Sequence, residues 1–210
     1  MPASNQVIIF ARAPRLFNGK RRLALDVGNL RAFQFYRSNL KRLIGALGSG
    51  PWQMHIAVAS EKDRHHDLFK QESVIVQPEG DLGFRMASVL SQFEDSARII
   101  IGSDIPTLES SHIHSAFTAL LHHEVVVGPA PDGGFWCIGI KPHHVESSGF
   151  MRGVRWSSPN ALSDTLATVS ASTRVAKIES LADVDDGASL AQYLKEKKLT
   201  DKRKKDNSNL

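Results

Sequence analysis

The chain has 210 residues, of which 41% are hydrophobic and 23% are charged, with a formal net charge of +4. This size and composition predict one globular domain, and no segment reaches the ~18 apolar residues that a membrane-spanning helix requires. The lone cysteine, Cys137, excludes an internal disulfide and a cysteine-based zinc site. Because the N-terminus also lacks the basic cluster of a signal peptide, we expect a cytoplasmic protein with no membrane partner.

Short apolar runs alternate with helical patterns along the chain, which is typical of an α/β fold with a mostly parallel sheet. Strands are predicted at 7–11, 55–59, 74–76, 99–101, 125–127, 135–140 and 174–178. Helices are predicted at 29–47, with Asn29 as its cap, and at 61–70, 82–93, 110–121, 159–169 and 188–194. After the first strand a loop is expected at 15–19, followed by the basic residues 20–22.

The predicted sheet is organised around residues 99–106, where three isoleucines precede Gly102, Ser103 and Asp104. Three β-branched residues in a row indicate a strand that is buried on both faces. Gly102 ends that strand and leaves Asp104 at the carboxyl edge, where open α/β sheets bind ligands. A carboxylate there can hold a divalent cation, and the cation can hold a diphosphate. The alternative is that Asp104 only caps a turn or a helix.

Basic and acidic residues fall in other predicted loops of the same kind. Lys20 and Arg22 follow the first strand and could bind phosphate, although an exposed basic loop is an equal alternative and the Walker A spacing is absent. Asp132, Asp183 and Asp185 also lie in loops. Carboxylates around one crevice, opposite cations, indicate Mg²⁺ or Mn²⁺ bound to phosphate oxygens. The alternatives are a turn at Asp132 and a helix cap at one of Asp183, Asp185 and Asp186.

The C-terminal residues 195–210 are strongly basic, and we predict a disordered tail after a single domain formed by residues 1–194. Nucleic acid binding by this tail is disfavoured because no aromatic residues interleave with its charges. The histidines occur as adjacent pairs rather than at the i, i+4 spacing of helical metal ligands, so we interpret them as surface residues.

Five segments together resemble the motifs of one protein family. They are G-S-D-x-P-x-L at 102–108, G-P-x-x-D-G-G-Y/F at 128–135, Q-x-x-G-D-L-G-x-R-M at 77–86, W-S-T with a later Thr at 156–158 and 165, and L-x-D-V-D-T at 181–186. On these residues the chain resembles the small bacterial glycosyltransferase-A-like proteins, which are nucleotide-diphospho-sugar transferases. That family is similar in fold to molybdopterin-cofactor nucleotidyltransferase and phospholactate guanylyltransferase. The resemblance implies a three-layer α/β/α, Rossmann-like fold.

The resemblance also implies roles for individual residues. Mg²⁺ or Mn²⁺ would be held by Asp104 with Asp183 or Asp185, and the catalytic residues would be Asp104 and Asp132. Gly133, Gly134 and Trp156 would border the acceptor or sugar. The residues implied to bind nucleotide or phosphate are Ala11, Pro14, Lys20, Arg22, Gln77, Gly80, Asp81, Leu82, Gly83, Arg85 and Ser103.

The leading functional hypothesis is a metal-dependent glycosyltransferase that uses a nucleotide-sugar donor and a small-molecule acceptor. A nucleotidyltransferase that consumes a nucleoside triphosphate and releases pyrophosphate is the alternative. A third hypothesis is a nucleotide-binding family member without catalysis. It is favoured by Phe17, which stands where the family usually has Gly. A homodimer is compatible with the sequence, and a Rossmann dehydrogenase is disfavoured because no Gly-x-Gly-x-x-Gly follows the first strand.

Overall fold

The computed structural model describes residues 4–17, 19–144 and 149–207. The strands in these ranges are β1 (Gln6–Ala11), β2 (Gln53–Val58), β3 (Ser73–Val76), β4 (Arg98–Gly102), β5 (Val125–Pro129), β6 (Phe135–Ile140) and β7 (Val175–Lys177). The α-helices are α1 (Arg21–Val27), α2 (Asn29–Leu47), α3 (Glu61–Arg64), α4 (Leu82–Leu90), α5 (Ser110–Leu120), α6 (Ala161–Ala167) and α7 (Gly187–Asn207).

The strands form one sheet in the order β3-β2-β1-β4-β6-β5-β7. All neighbouring pairs are parallel except those that involve β6, which runs antiparallel to both β4 and β5. The carboxyl ends of β1, β4 and β5 therefore meet the amino end of β6 at one edge of the sheet. The prediction of an α/β fold with a mostly parallel sheet is confirmed.

The core lies on both faces of the sheet, because alternate strand residues point to opposite sides. Ile99 and Ile101 of β4 pack in one cluster with buried residues of α2 and α5. Ile100, between them, packs in a second cluster with residues of α4 and α6. Burial of each isoleucine side chain contributes about 1.5–3 kcal/mol to folding. Helices thus cover both faces, which confirms the three-layer arrangement.

The helices depart from the sequence predictions at three places. Helix α1 begins in the basic segment, for which no helix was expected. Gly28, with φ +85°, separates α1 from α2 and is the N-cap of α2. Asn29, which was expected to be the cap, is instead the first residue of the helix. The polar helix predicted at 61–70 is reduced to α3 and a 3₁₀ turn, Asp67–Phe69.

The third departure is helix α7, which continues through Asn207, whereas the sequence predicted a disordered tail from residue 195. The Lys, Glu, Arg and Leu residues of this segment are good helix formers, and Gln192 donates a side-chain hydrogen bond to Glu196 one turn later. None of the helices in the described ranges combines the length and apolar character that crossing a bilayer requires.

Candidate functional site

A cleft of about 900 Å³ lies at the sheet edge where β1 and β4 end. This volume is within the range of ligand-binding pockets, about 300–1,000 Å³. Many residues predicted to bind nucleotide or phosphate line it, namely Ala11, Lys20, Arg22, Gln77, Asp81, Leu82, Arg85 and Ser103. The predicted metal ligands also line it, namely Asp104, Asp183 and Asp185. The structure therefore brings together two residue groups that are far apart in the sequence.

Lys20 is the centre of an ion cluster on the cleft wall. Its Nζ lies 2.8 Å from Oδ2 of Asp104 and 2.6 Å from Oδ1 of Asp185, and it donates a hydrogen bond of 2.7 Å to the carbonyl of Val184. The Lys20 side chain is only 9% exposed, whereas the carboxylates are 34% and 44% exposed. A backbone hydrogen bond from the Val184 N–H to the Asp104 carbonyl also ties the two acidic segments together.

The position of Lys20 is set by an unusual backbone conformation just before α1. Lys20 has φ +40° and ψ +46°, the left-handed region that L side chains rarely adopt. Strain of this kind often accompanies functional sites. Burial alone would lower the pKa of Lys20, but the nearby charges of Asp104 and Asp185 outweigh it, so its pKa lies above the ordinary value. The ammonium group is therefore held charged inside the cleft.

Arg22 adds a second cation at the outer side of the cluster. Its Nη2 lies 3.2 Å from Oδ2 of Asp186, and its Nη1 lies 3.9 Å from Oδ2 of Asp185. The Arg22 side chain is 72% exposed, so it can reorient toward a ligand at little cost. Asp186 also accepts a backbone hydrogen bond from Ser189 in the first turn of α7. Asp186 is thus the helix cap that the sequence left as an alternative for this acidic group.

Tyr36 and Asn39 on α2 support the base of the cleft, and the sequence analysis missed both. The Tyr36 hydroxyl accepts a hydrogen bond from the N–H of Arg12, donates one to its carbonyl and lies 3.3 Å from Ser103 Oγ. Asn39 donates to the Ser103 carbonyl at 2.8 Å. Burial, and then the charge of Asp104, raise the pKa of Tyr36. Both residues lie on the buried side of α2. Tyr36 was missed because its helical spacing is that of an ordinary core residue.

A polar chain on the opposite wall includes Gln77, Arg85 and Asp81. Gln77 donates to the Ala57 carbonyl at 2.7 Å and accepts from Arg85 Nη1 at 3.1 Å. Asp81 caps α4, because its Oδ1 accepts the Phe84 N–H at 2.8 Å. The amide of Gln77 is therefore fixed in orientation before any ligand arrives.

Three of the predicted nucleotide residues do not line the cleft. Pro14 is buried behind it, and Gly80 is exposed with φ +137°. Gly83 packs tightly against Met151 and the Trp156 ring, where a Cβ would overlap the Met151 carbonyl. These residues shape the loops and helix around the cleft instead of facing a ligand in it.

Asp132 lies outside the cleft, beside a smaller pocket of about 210 Å³ that it lines together with Gly134 and Trp156. Its Oδ1 accepts the Gly134 N–H at 2.9 Å, which is the turn geometry that the sequence offered as an alternative. Gly133 has φ +87° and lies against the Pro159 backbone, so the turn requires glycine there.

Asp183 has a raised pKa, which favours the neutral form of its carboxyl group. Burial raises its pKa to about 6, with further contributions from the charges of Asp185 and Asp132, while Lys20 opposes the shift. A perturbed carboxyl in a cleft is a candidate functional group.

A divalent cation is compatible with the chemistry of these side chains. Among the described residues no group of three or more His, Cys, Asp or Glu side chains is arranged to hold a metal ion. However, Asp104 Oδ2 and Asp185 Oδ1 both lie within 2.8 Å of Lys20 Nζ, so two carboxylate oxygens converge on one positive charge. Oxygen ligands of this type suit Mg²⁺ and Mn²⁺. An ion shared by the two carboxylates would compete with the ammonium of Lys20.

Phe17 does not fill the cleft, although it replaces the glycine usual in the resembling family. It has φ +66°, a conformation that glycine adopts freely, and its ring is 77% exposed. The substitution therefore adds backbone strain at the loop without blocking the ligand space.

Solved structures confirm the predicted nucleotide-diphospho-sugar transferase fold. A protein from Desulfovibrio desulfuricans G20, provisionally assigned as a nucleotide-diphospho-sugar transferase, is 25% identical, with a TM-score of 0.77 over 88% of this chain and 83% of that chain. CMP:2-keto-3-deoxy-manno-octonic acid synthetase with CTP is 12% identical, with a TM-score of 0.52 over 90% and 97%. Rv0371c from Mycobacterium tuberculosis H37Rv, in complex with manganese, is 13% identical, with a TM-score of 0.51 over 92% and 99%.

No curated protein matches the chain. A family model described as "Uncharacterized protein conserved in bacteria (DUF2064)" matches residues 43–158, which is more than half of the sequence. The matched range includes β4 with Asp104, the Gln77 to Arg85 segment and the turn at Asp132. The chain therefore belongs to the DUF2064 family.

Proposed function

We propose that the protein transfers a sugar from a nucleotide-diphospho-sugar donor to a small-molecule acceptor. The observation that carries the proposal is the Lys20 cluster, which places a buried cation between two carboxylates in a cleft of nucleotide size. The likeness to the Desulfovibrio desulfuricans protein, across most of both chains, supports a donor of this class.

The charges along the cleft suit a nucleoside diphosphate. Lys20 and Arg22 lie on one wall and Arg85 on the other, and guanidinium and ammonium groups form strong charge-assisted hydrogen bonds with phosphate oxygens. Gln77, whose amide is already oriented, would contact the base or ribose. A donor bound in this way has its diphosphate beside Asp104 and Asp185.

Asp104, together with Asp185 or Asp183, would hold Mg²⁺ or Mn²⁺. When bound, such an ion would supply positive charge to the diphosphate leaving group. The manganese complex of Rv0371c, which shares the fold, supports a metal in a site of this kind. Burial of Asp183 keeps part of its population protonated near neutral pH, and a cation nearby would favour the ionised form.

In the proposed reaction an acceptor oxygen forms a bond to the anomeric carbon of the sugar. The bond between that carbon and the diphosphate oxygen breaks, and its electron pair leaves with the nucleoside diphosphate. Lys20 and Arg22 stabilise the charge that develops there. The proton lost by the acceptor passes to the carboxylate of Asp132, which lies at the pocket beside the cleft.

Nucleotidyl transfer is a second candidate, because the CTP-bound synthetase has the same fold. In that reaction an acceptor oxygen attacks the α-phosphorus of a nucleoside triphosphate, and pyrophosphate leaves with the electron pair of the broken P–O bond. The two reactions differ in the donor bound and in the product released. Binding without turnover is the third outcome, although the exposed ring of Phe17 does not itself obstruct the cleft.

A thermal-unfolding panel tests the proposal. UDP-, GDP-, ADP- and dTDP-sugars and the four nucleoside triphosphates are added with Mn²⁺, Mg²⁺ or EDTA. A ligand at about 100 times its dissociation constant adds about 2.7 kcal/mol to the free energy of unfolding. We expect a metal-dependent shift with one nucleotide-sugar, lost in Asp104→Asn and retained in Asp201→Asn, a matched change on the exposed part of α7.

Product analysis then separates the candidates. Release of a nucleoside diphosphate supports sugar transfer, whereas a shift with a triphosphate and release of pyrophosphate supports nucleotidyl transfer instead. If no donor produces a shift, both sugar transfer and nucleotidyl transfer are contradicted.

A further inference from the structure

The smaller pocket at the end of β4, here called the apolar pocket, is lined mainly by apolar side chains. Its apolar walls are formed by Phe10, Met86, Ile100, Phe135, Trp156 and Ala161. Five elements, β1, α4, β4, β6 and α6, each contribute one of these side chains, and Trp156 comes from the segment between β6 and α6. The floor of the pocket is therefore built from strands and helices, and loop residues close its rim.

The apolar pocket and the cleft are neighbouring compartments. Phe10, Leu82, Trp156 and Ser157 line both of them, so a molecule in the apolar pocket would lie next to a donor in the cleft. The carboxylate that lines the apolar pocket is Asp132, and Ser157 and Ser158 add hydroxyl groups. The pocket thus combines an apolar interior with a few polar groups.

Several contacts hold the wall at Trp156 in place. Arg155, its neighbour, forms two hydrogen bonds of 2.8 Å to the carboxylate of Asp164 on α6. The Trp156 ring meets Phe135 edge to face, with centroids 6.2 Å apart. Gly83 lies against the other side of the ring because it has no side chain. These contacts fix the position of the Trp156 wall.

The size and lining of the pocket select the kind of molecule that fits. An apolar cavity of about 150 Å³ binds benzene, and this pocket has about 210 Å³, enough for one six-membered aromatic ring with a short substituent. A sugar of similar size would lose hydrogen bonds with water that apolar walls cannot replace. Asp132 would accept a hydrogen bond from a hydroxyl group at the polar end.

We propose that the acceptor is a hydroxylated apolar molecule, whose ring-sized body fills the apolar pocket and whose hydroxyl donates to Asp132. The statement that this molecule is the acceptor rests on the proposed function, whereas its binding does not. In the transfer reaction described above, this hydroxyl supplies the oxygen that forms the new bond and the proton that passes to Asp132.

The test uses benzyl alcohol, toluene and glucose as probes on the full chain without nucleotide. Binding is followed by calorimetry and by tryptophan fluorescence. We expect saturable binding of benzyl alcohol and toluene, with dissociation constants of about 1 mM for ligands of this size, and no binding of glucose. Absence of saturable binding by both aromatic probes, or equal binding of glucose, overturns the proposal.

Two variants on the same helix locate the binding. Ala161→Leu fills the pocket and should weaken the binding of both aromatic probes at least tenfold. Ala167→Leu, on the exposed side of α6, should leave both dissociation constants unchanged. Asp132→Asn should weaken the binding of benzyl alcohol but leave the binding of toluene unchanged. This variant serves as the test if Ala161→Leu fails to fold. Equal effects of the two leucine variants overturn the location, and equal effects of Asp132→Asn on both probes overturn the assigned orientation.

The donor panel separates this proposal from the proposed function. Donor binding without aromatic binding refutes the apolar acceptor and leaves sugar transfer standing. If the aromatic probes bind but no donor in the panel does, sugar transfer is refuted and the apolar pocket remains a ligand site.

Discussion

Replacement of Gly83 by alanine is expected to destabilise the protein, although Gly83 lies in a helix where alanine is usually favourable. The new Cβ would overlap the Met151 carbonyl and would lie 2.8 Å from Cζ2 of Trp156. Overpacking of this kind costs about 1–3 kcal/mol. The higher helix propensity of alanine offsets about 0.5–1 kcal/mol of that cost. Because the overlap is with a backbone oxygen, the cost lies in the upper half of that range, about 2–3 kcal/mol, and we expect a net loss of about 1–2.5 kcal/mol.

Gly45 provides a matched control for the same substitution. It lies in the last turn of α2, and apart from its chain neighbours and the backbone of the helix itself no atom is within 4 Å of the position that a Cβ would take. Gly45→Ala should therefore show the propensity gain alone, about 0.5–1 kcal/mol of added stability. The two variants differ in the sign of their effect, which no general preference for alanine in helices can produce.

Thermal and urea unfolding measure both variants. For a chain of this size 1 kcal/mol corresponds to about 2–4 °C in Tm. The expected shifts are thus about 2–10 °C downward for Gly83→Ala and about 1–4 °C upward for Gly45→Ala. If both variants gain stability, α4 does not pack against the 149–158 segment as described. Gly83→Ala should also weaken aromatic probes in the apolar pocket, since it displaces the Trp156 wall.

Three further outcomes are expected. Lys20→Met should weaken donor binding about 10- to 100-fold, because hydrogen bonds to charged groups contribute about 1.5–3 kcal/mol. Calorimetry should show an unchanged donor affinity for Lys198→Met, on the exposed side of α7. An unchanged donor affinity in Lys20→Met would show that Lys20 does not bind the phosphates. The hydrogen bonds from Arg155 lower the pKa of Asp164 to about 2, so its ionised form contributes stability that is present above its ordinary pKa and lost as pH falls toward 2. Asp164→Asn should therefore be less stable than the unmodified protein at pH 6, by a difference that shrinks between about pH 4 and 2; a difference that is constant with pH would contradict this. Burial raises the pKa of the Cys137 thiol, so a soluble disulfide reagent should label it only after unfolding in urea, and labelling of the native protein would show that β6 opens.

The strands and the carboxyl edge of the sheet could be predicted because they depend on local patterns. The isoleucines of β4 show their burial through β-branching, and Gly102 marks where the strand ends. The turn at Asp132 indicated that β6 could fold back beside β5. The insertion of β6 between β4 and β5 could not be predicted, since an apolar run of six residues does not show which strands it pairs with.

The candidate site was predictable as a set of residues but not as a geometry. Nothing local to Lys20 indicates that its ammonium contacts Asp185, which is 165 positions away in the chain. The left-handed backbone that makes this contact is also unusual for lysine. The apolar pocket was missed for another reason: Phe10, Met86 and Ile100 follow the same burial pattern whether they enclose a ligand or fill the core.

The placement of β6 between β4 and β5 has a consequence for the order of folding. Strands β5 and β6 are neighbours in the chain and form a local antiparallel pair, whereas β6 joins β4 across a longer loop. Strand β5 contacts the rest of the sheet through β6, and β7 pairs only with β5 among the described strands. We therefore expect the β5–β6 hairpin to form first and to dock on β4 as a unit, because closing short loops loses less entropy. Substitutions in the turn at 130–134 should then slow refolding, and the chain after β7 should acquire protection from hydrogen exchange last.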